Sequence, residues 1–345
     1  MKIDWWLFIP AGLLSSLGLL IIRSVAPQLF ITQLLFVAAS FTAAVLLSSI
    51  DYRLPFAFHL PLYVISLILL ILPFIFGSHT RGALRWLQFG SFTLQPSELV
   101  KPLLLIAFSM AVSSSSWKKV WPFVMFIIPW LIIFMQPDLG TSLVLGIGWI
   151  AIFLFRLPLK LVISSGLVFL LFLVPVYKYA LRPYQRDRIT TFINPFADPL
   201  GNGYHVIQSL IAVGSGQIWG KGLGHGTQSQ LRFLPEHHTD FIFASLAEEL
   251  GLVGSVFVLA LFSVILWRLY HISQTSSSLS ASLFCLASMS MLCFQIFINI
   301  GMNLGLAPVT GITLPFISYG GSSLLSLGIL LGVASSISQN AVSRV

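Results

Sequence analysis

The sequence predicts an all-α polytopic membrane protein of about ten transmembrane helices, with both termini cytoplasmic and one long extracytoplasmic loop. Three observations predict it. Hydrophobic residues fill 57% of the 345 positions and charged residues only 8%, where soluble domains carry about 25% charged residues. Mean hydropathy is +0.95. Polar breaks divide the chain into apolar runs close to the roughly 20 residues that a spanning helix needs. So little charge cannot cover a globular surface, and lipid must be the solvent. Residues 1–345 therefore read as one transmembrane domain that includes the loop at about 181–240, although length alone would suggest two soluble domains.

The expected spans are 5–22, 28–49, 58–77, 97–114, 120–135, 140–155, 159–179, 241–270, 279–304 and 315–338. The first, in "MKIDWWLFIPAGLLSSLGLLII", lacks a basic cluster and a small-residue cleavage site, so it is a retained span rather than a signal peptide. "DYR" parts spans two and three, and the tract from Ser78 to Gln95 parts three and four. "SSSSWKK", "QPD" and "RLPLK" set off the fifth, sixth and seventh. The eighth run is too long for a bilayer and extends beyond it. Proline and glycine in "NIGMNLGLAPVTGITLPFISYGGSS" predict a broken helix or re-entrant turn, tolerated only where it lines a cavity or is buried by protein. Arg53, Lys118 with Lys119, Arg156 with Lys160, and Arg268 fall in alternate connections, and the positive-inside rule places these in the cytoplasm. Arg81 and Arg85 go against that rule on the outer side and require a reason.

Several readings fall away. A formal charge of +8 suits anionic lipid, and with no soluble basic domain there is no place for nucleic acid. "GQIWGKG" lacks P-loop spacing and a preceding strand. Cys285 and Cys293 share one apolar segment without disulfide or zinc spacing. His225, His237 and His238 do not form a zinc motif. The face of Ala281, Cys285 and Ser288 is small enough for close helix packing, either inside the bundle or against a partner.

Five polar groups belong to the outer side. Glu98 and Lys101, three apart, form either a structural ion pair or part of a site. Asp138 stands at a helix start, where it caps or takes part in chemistry. Arg182, Arg186 and Arg188 surround Asp187; guanidinium forks suit phosphate oxygens, and equally suit a loop pinned by Arg–Asp pairs. The broken segment 299–323 is the fourth. The fifth is "FLPEHHTDFIFASLAEELG", which holds Glu236, Asp240, Glu248 and Glu249, four of the chain's ten carboxylates. On a helix Glu236 and Asp240 would share a face, and one carboxylate could abstract a proton while the others orient it.

These tracts carry a resemblance. "RGALRWLQFGSFTLQPSELVK", "QPDLGTS", "NPFADPLGNGYHVIQSLIAVGSG", "GTQSQLRFLPEHHTDFIFASLAEELG" and "LPFISYGGSS" together resemble the SEDS family (RodA, FtsW, SpoVE) in order and over most of the chain. "GTQSQLRFLPE" and "APVTGITLPF" are more similar to its elongation-type RodA members than to its division-type ones. The resemblance implies a peptidoglycan glycosyltransferase in the bacterial cytoplasmic membrane that polymerises lipid II at the outer face in cell elongation and shape maintenance. It implies Asp240 as general base, Arg81, Trp86 and Lys101 as substrate or pyrophosphate residues with Arg186 and Arg188 beside them, and Glu98, Glu236, His238, Ser318 and Tyr319 in support. The implied partners are a class B penicillin-binding protein, undecaprenyl-linked glycan and membrane lipid. No metal ligand set is assigned, and a divalent cation, Mg²⁺ or Mn²⁺, could accompany the pyrophosphate. The competing readings are a lipid II flippase, which would hold its site at mid-membrane, and a scaffold that recruits the transpeptidase.

Overall fold

The computed structural model describes residues 3–80, 83–89, 92–114, 121–154, 160, 183–199, 201, 203–231 and 233–342. The first half contains α1 (Trp5–Val25), α2 (Phe30–Ser49), a short α3 (Arg53–Ala57) and α4 (His59–Phe76). Strands β1 (Ser78–Thr80), β2 (Ala83–Phe89) and β3 (Phe92–Leu94) follow, then α5 (Pro96–Ser113), α6 (Trp121–Met135) and α7 (Leu139–Leu154). The second half contains α8 (Pro183–Ile193), α9 (Tyr204–Ser215), α10 (Thr227–Gln230), α11 (Ile242–Thr275), α12 (Leu279–Asn303) and α13 (Gly321–Val342).

Among the described residues α1, α2, α4, α5, α11, α12 and α13 are long and apolar enough to cross a membrane, and α6 and α7 are shorter apolar helices. All nine coincide with expected spans, and the expected span at 159–179 lies outside the described residues. α12 runs through the middle of the bundle and packs against α5, α7 and α11. Ala281, Cys285 and Ser288 are fully buried there. Their face packs within the chain and is not open to a partner. α13 lies along α2, where a Cβ at Gly328 or Gly332 would collide with the carbonyl oxygens of Ser40 or Ala44. Small residues four apart on both helices let the backbones meet, which is how helices gain contact when lipid removes the hydrophobic drive.

The outer side is more ordered than its loops suggest. The tract after α4 is not a plain loop but an antiparallel sheet of order β1-β2-β3. In β2 Leu87 is buried while the next residue, Gln88, is exposed, the alternation of faces expected of a half-buried strand. The described residues of the long 181–240 loop fold into α8, α9 and α10, and α9 packs on α11.

α11 has 34 residues, about 51 Å at 1.5 Å per residue, against roughly 30 Å of hydrocarbon. It breaks at Gly251, whose φ of 65° and ψ of −162° suit glycine alone. A neighbouring loop fills the break. Leu252 and Val253 donate their amides to the carbonyls of Gln217 and Ile218, at 2.9 and 3.1 Å. Lys221 and Gly222 donate theirs to Glu248 and Glu249, both at 3.0 Å. Backbone groups that a helix break would orphan are thus satisfied.

An Ala281→Trp substitution should destabilise the purified protein by about 1–3 kcal/mol or more, since nothing around a fully buried alanine can yield. Thermal melting in detergent measures it. A melting temperature unchanged from wild type would mean that this face is looser than its burial indicates.

Candidate active site

Asp240 does not sit on a helix beside Glu236, as the spacing suggested. Residues 235–241 form a succession of turns ahead of α11, and Glu236 has a left-handed φ of 51°. Three sets of bonds hold this turn. Asn299 and Asn303, both fully buried on α12, donate from Nδ2 to the Asp240 carbonyl at 3.0 and 3.2 Å. The Ser318 hydroxyl donates to the Thr239 carbonyl at 2.8 Å, and the Tyr319 amide to the His238 carbonyl at 2.9 Å. Thr239 donates from Oγ1 to Glu236 Oε2 at 3.0 Å. The His238 and Tyr319 rings meet edge to face, 5.9 Å apart. Ser318 and Tyr319 therefore hold the turn, and Asp240, Glu236, His238, Ser318 and Tyr319 come together here, while Glu98 lies in a separate cluster.

The broken segment 304–320 is the second wall. Asn299 also donates to the Ile312 carbonyl at 2.7 Å, so one side chain ties Asp240 to this segment. A Cβ at Gly311 would lie 3.6 Å from Asp240 Oδ2, which places the carboxylate beside that glycine. Gln33 of α2 supports the far end, donating to the Ser318 carbonyl at 3.1 Å and accepting from the Gly320 amide at 3.3 Å.

Across the same segment lies a second cluster. A Cβ at Gly140, in the first turn of α7, would be 3.3 Å from the Thr310 carbonyl. Asp138, just before α7, is buried. Its Oδ1 accepts the Thr141 amide at 3.2 Å, the cap expected of it, and its Oδ2 accepts from Gln95 and Ser97 at 2.7 and 2.9 Å. Arg85 of β2 approaches Asp138 at 3.5 Å. Glu98 accepts from Lys101 at 2.7 Å and from Thr141 Oγ1 at 3.3 Å. Lys101 is only 2% exposed, so this ion pair is internal to the bundle. Strand alternation turns Trp86 away from the side on which Arg85 meets Asp138. Arg81 lies outside the described residues. On α8, Arg188 lines a pocket of about 260 Å³ with His205 of α9, and Arg186 is half-buried nearby in sequence.

Glu248 and Glu249 have a different task. Both are buried on the first turns of α11. Glu248 accepts the amides of Gln228 and Ser229 at 2.9 and 3.1 Å, the Ser229 hydroxyl at 2.9 Å and Lys221 Nζ at 3.1 Å. It thereby satisfies the open amides at the start of α10. Glu249 accepts from Ser24 of α1 and from the Gly224 amide. Four clustered acids thus divide into a pair at the turn and a pair that staples the 221–230 loop.

Sequence reasoning missed Asn299, Asn303 and Gln33, and it noted Arg85 on the outer side without giving it a role. Two asparagines four apart in the otherwise apolar "FINIGMNLG" were a signal, since amides at membrane depth are costly and need partners. Among the described residues no three His, Cys, Asp or Glu side chains converge as a metal set.

Removing the Glu248 carboxylate with Glu248→Ala should cost about 2–4 kcal/mol, because several donors lose one buried acceptor. Hydrogen exchange at the Gln228 and Ser229 amides should accelerate. Unchanged exchange there would mean that the loop is held by something else.

Comparison with known proteins agrees with this architecture. The cell cycle protein family of FtsW, RodA and SpoVE matches residues 6–343. The chain is 42% identical over 282 residues to the peptidoglycan glycosyltransferase MrdB of Escherichia coli strain K12, spanning 80% of this chain and 76% of that one. It is 41% identical over 317 residues to stage V sporulation protein E of Bacillus subtilis, spanning 88% and 86%. It superimposes on a chain of a peptidoglycan synthase complex that coordinates polymerization and crosslinking, with TM-score 0.82, 33% identity and 99% of both chains covered. The rod shape determining protein RodA of Thermus thermophilus superimposes with TM-score 0.72 and 29% identity, over 99% of this chain and 98% of that one. The chain is a multi-pass membrane protein that belongs to the FtsW, RodA and SpoVE family, and it is RodA-like.

Proposed function

We propose that this protein is a peptidoglycan glycosyltransferase that polymerises lipid II at the outer face of the bacterial cytoplasmic membrane, with Asp240 as general base. The observation that carries the reading is the Asp240 turn: its backbone carbonyl is held by buried amides, and its carboxylate lies beside a broken membrane segment. Relatives named as glycosyltransferases support the reaction class. The alternation of basic loops supports the orientation, with both termini in the cytoplasm.

In this reaction the acceptor's GlcNAc 4-hydroxyl oxygen attacks C1 of the donor sugar. The bond from C1 to the pyrophosphate oxygen breaks, and undecaprenyl pyrophosphate departs with the electron pair. The hydroxyl proton passes to the Asp240 carboxylate, an acceptor-only group when ionised. The α-linked donor becomes a β-1,4 bond by a single displacement, so one base suffices. Negative charge grows on the leaving pyrophosphate, and fixed cations stabilise it best. Arg85 on β2 and Arg186 on α8 are the cations we assign to it, together with Arg81. Trp86 is assigned to the substrate from the same strand. Lys101 acts indirectly, by holding Glu98 against Thr141 at the base of that wall. A divalent cation, Mg²⁺ or Mn²⁺, belongs to the proposal as a companion of the pyrophosphate. Such an ion takes most of its ligands from phosphate and water.

A flippase would hold its polar residues near mid-membrane. Here Asp138, Glu98 and Asp240 stand at helix starts, which favours chemistry at one face. The proposed partner is a class B penicillin-binding protein, and the synthase-complex neighbour supports a crosslinking companion. Its span would lie on the lipid-facing sides of α11 and α12, where Val256, Phe257 and Phe297 are exposed.

Asp240→Asn keeps the shape of the side chain and removes the base. General base catalysis contributes roughly 10²–10⁴-fold, so glycan formation from lipid II by the purified variant, bound to its transpeptidase, should fall by that factor. Near-normal chains would make Asp240 structural and send the search for the base to Glu236 or Asp138.

A further inference from the structure

We propose that the pocket between α8, α9 and residues 307–309 is the acceptor-side sugar subsite, which takes the N-acetylated hexose whose hydroxyl attacks. This rests on the glycosyltransferase reading and adds to it the place of one substrate. At about 260 Å³ the pocket lies just under the roughly 300–1,000 Å³ of typical ligand sites. That is room for a single sugar ring and not for a lipid tail.

Its polar lining is Asp187, Arg188, Thr191 and His205. Asp187 and Arg188 carry opposite charges on adjacent residues. Shielding of the His205 ring lowers its affinity for a proton below the ordinary value, although the charge of Glu236 works the other way. Little net charge results. A pyrophosphate would require a clear positive excess, whereas hydroxyls and an acetamide need mixed donors and acceptors. Phe192 and Val309 add an apolar wall, suited to the acetyl methyl group and the C–H face of a pyranose.

Position links this pocket to the base. The His205 ring stacks on Phe241 at 6.2 Å between centroids, and Phe241 follows Asp240 in the chain. Val309 belongs to the segment whose Gly311 lies beside the Asp240 carboxylate. Both walls therefore lead directly to Asp240. Arg188 then serves the sugar, not the leaving group.

The test uses two soluble inhibitors of lipid II polymerisation by the protein in complex with its transpeptidase. One is a GlcNAc–MurNAc disaccharide that lacks pyrophosphate and lipid, and the other is inorganic pyrophosphate. Thr191→Trp, which fills the pocket, and His205→Ala should each weaken inhibition by the disaccharide about tenfold, the loss of one or two good hydrogen bonds. Inhibition by pyrophosphate should stay unchanged. If Thr191→Trp does not fold, Thr191→Val removes the hydroxyl at constant shape and is read in the same way. Unchanged disaccharide inhibition in folded variants overturns the proposal, and so does a loss confined to pyrophosphate. Failure of the wild-type complex to make polymer would instead overturn the glycosyltransferase reading. Saturation-transfer NMR of the disaccharide on wild-type and Thr191→Trp protein then decides the pocket: a signal lost in the variant supports it, and equal signals refute it.

Discussion

The structure turns on one buried contact, the donation of two asparagine amides on α12 to the backbone carbonyl of Asp240. A turn at the rim of a membrane bundle has no regular ladder to satisfy its polar groups. Left alone, such a carbonyl would draw in water or rearrange, because an unpaired buried acceptor costs about 1–3 kcal/mol. Asn299 and Asn303 remove that choice. They sit at i and i+4, share one helix face, and also engage each other, with Asn303 donating to the Asn299 carbonyl at 2.7 Å. Asn303 Oδ1 accepts the Ala244 amide at 3.1 Å, in the first turn of α11. One pair of side chains thus fixes the backbone that carries the carboxylate, the helix that follows it and, through Ile312, the broken segment opposite.

The remaining polar groups repeat that logic at greater distance. Asp138, Glu98 and Lys101 form a satisfied internal network behind the other wall. Glu248 and Glu249 hold the 221–230 loop, and the same loop region supplies the carbonyls and amides that the kink at Gly251 would otherwise leave bare. Buried charge is expensive at membrane depth unless it is paired and hydrogen-bonded. Glu98 meets Lys101, Asp138 meets Arg85 and Glu248 meets Lys221, while Glu249 relies on hydrogen bonds from Ser24 and Gly224. The result is a rigid frame around a short, otherwise irregular stretch of backbone, which is the arrangement that pre-positioned chemistry requires.

The helical bundle was legible in the sequence because lipid imposes a simple rule, long apolar runs broken by polar residues. Asp240 was legible as a candidate through its place in a recognisable tract. The sheet was not, since the seven residues of β2 carry no clean apolar–polar alternation, with Arg85 and Gln88 three apart. The geometry of the turn was not legible either: spacing of four suggests one helix face, but Glu236 adopts a left-handed conformation and the helix begins only at Ile242. Nor did spacing separate Glu248 and Glu249 from the acids at the site, because their partners lie in a loop about twenty residues earlier. Asn299 was overlooked for a different reason. An amide in an apolar run attracts less notice than a charge, although the physical demand for a partner is similar.

The central claim is that Asn299 sets the position of the Asp240 carboxylate. The most direct measurement is the polymerisation rate from lipid II of an Asn299→Leu variant in complex with its transpeptidase, alongside its melting temperature. A shift of the base by about 1 Å costs roughly 10²-fold, so the rate should fall by about that factor while the helical content is kept. A folded variant that polymerises at the wild-type rate would contradict the claim.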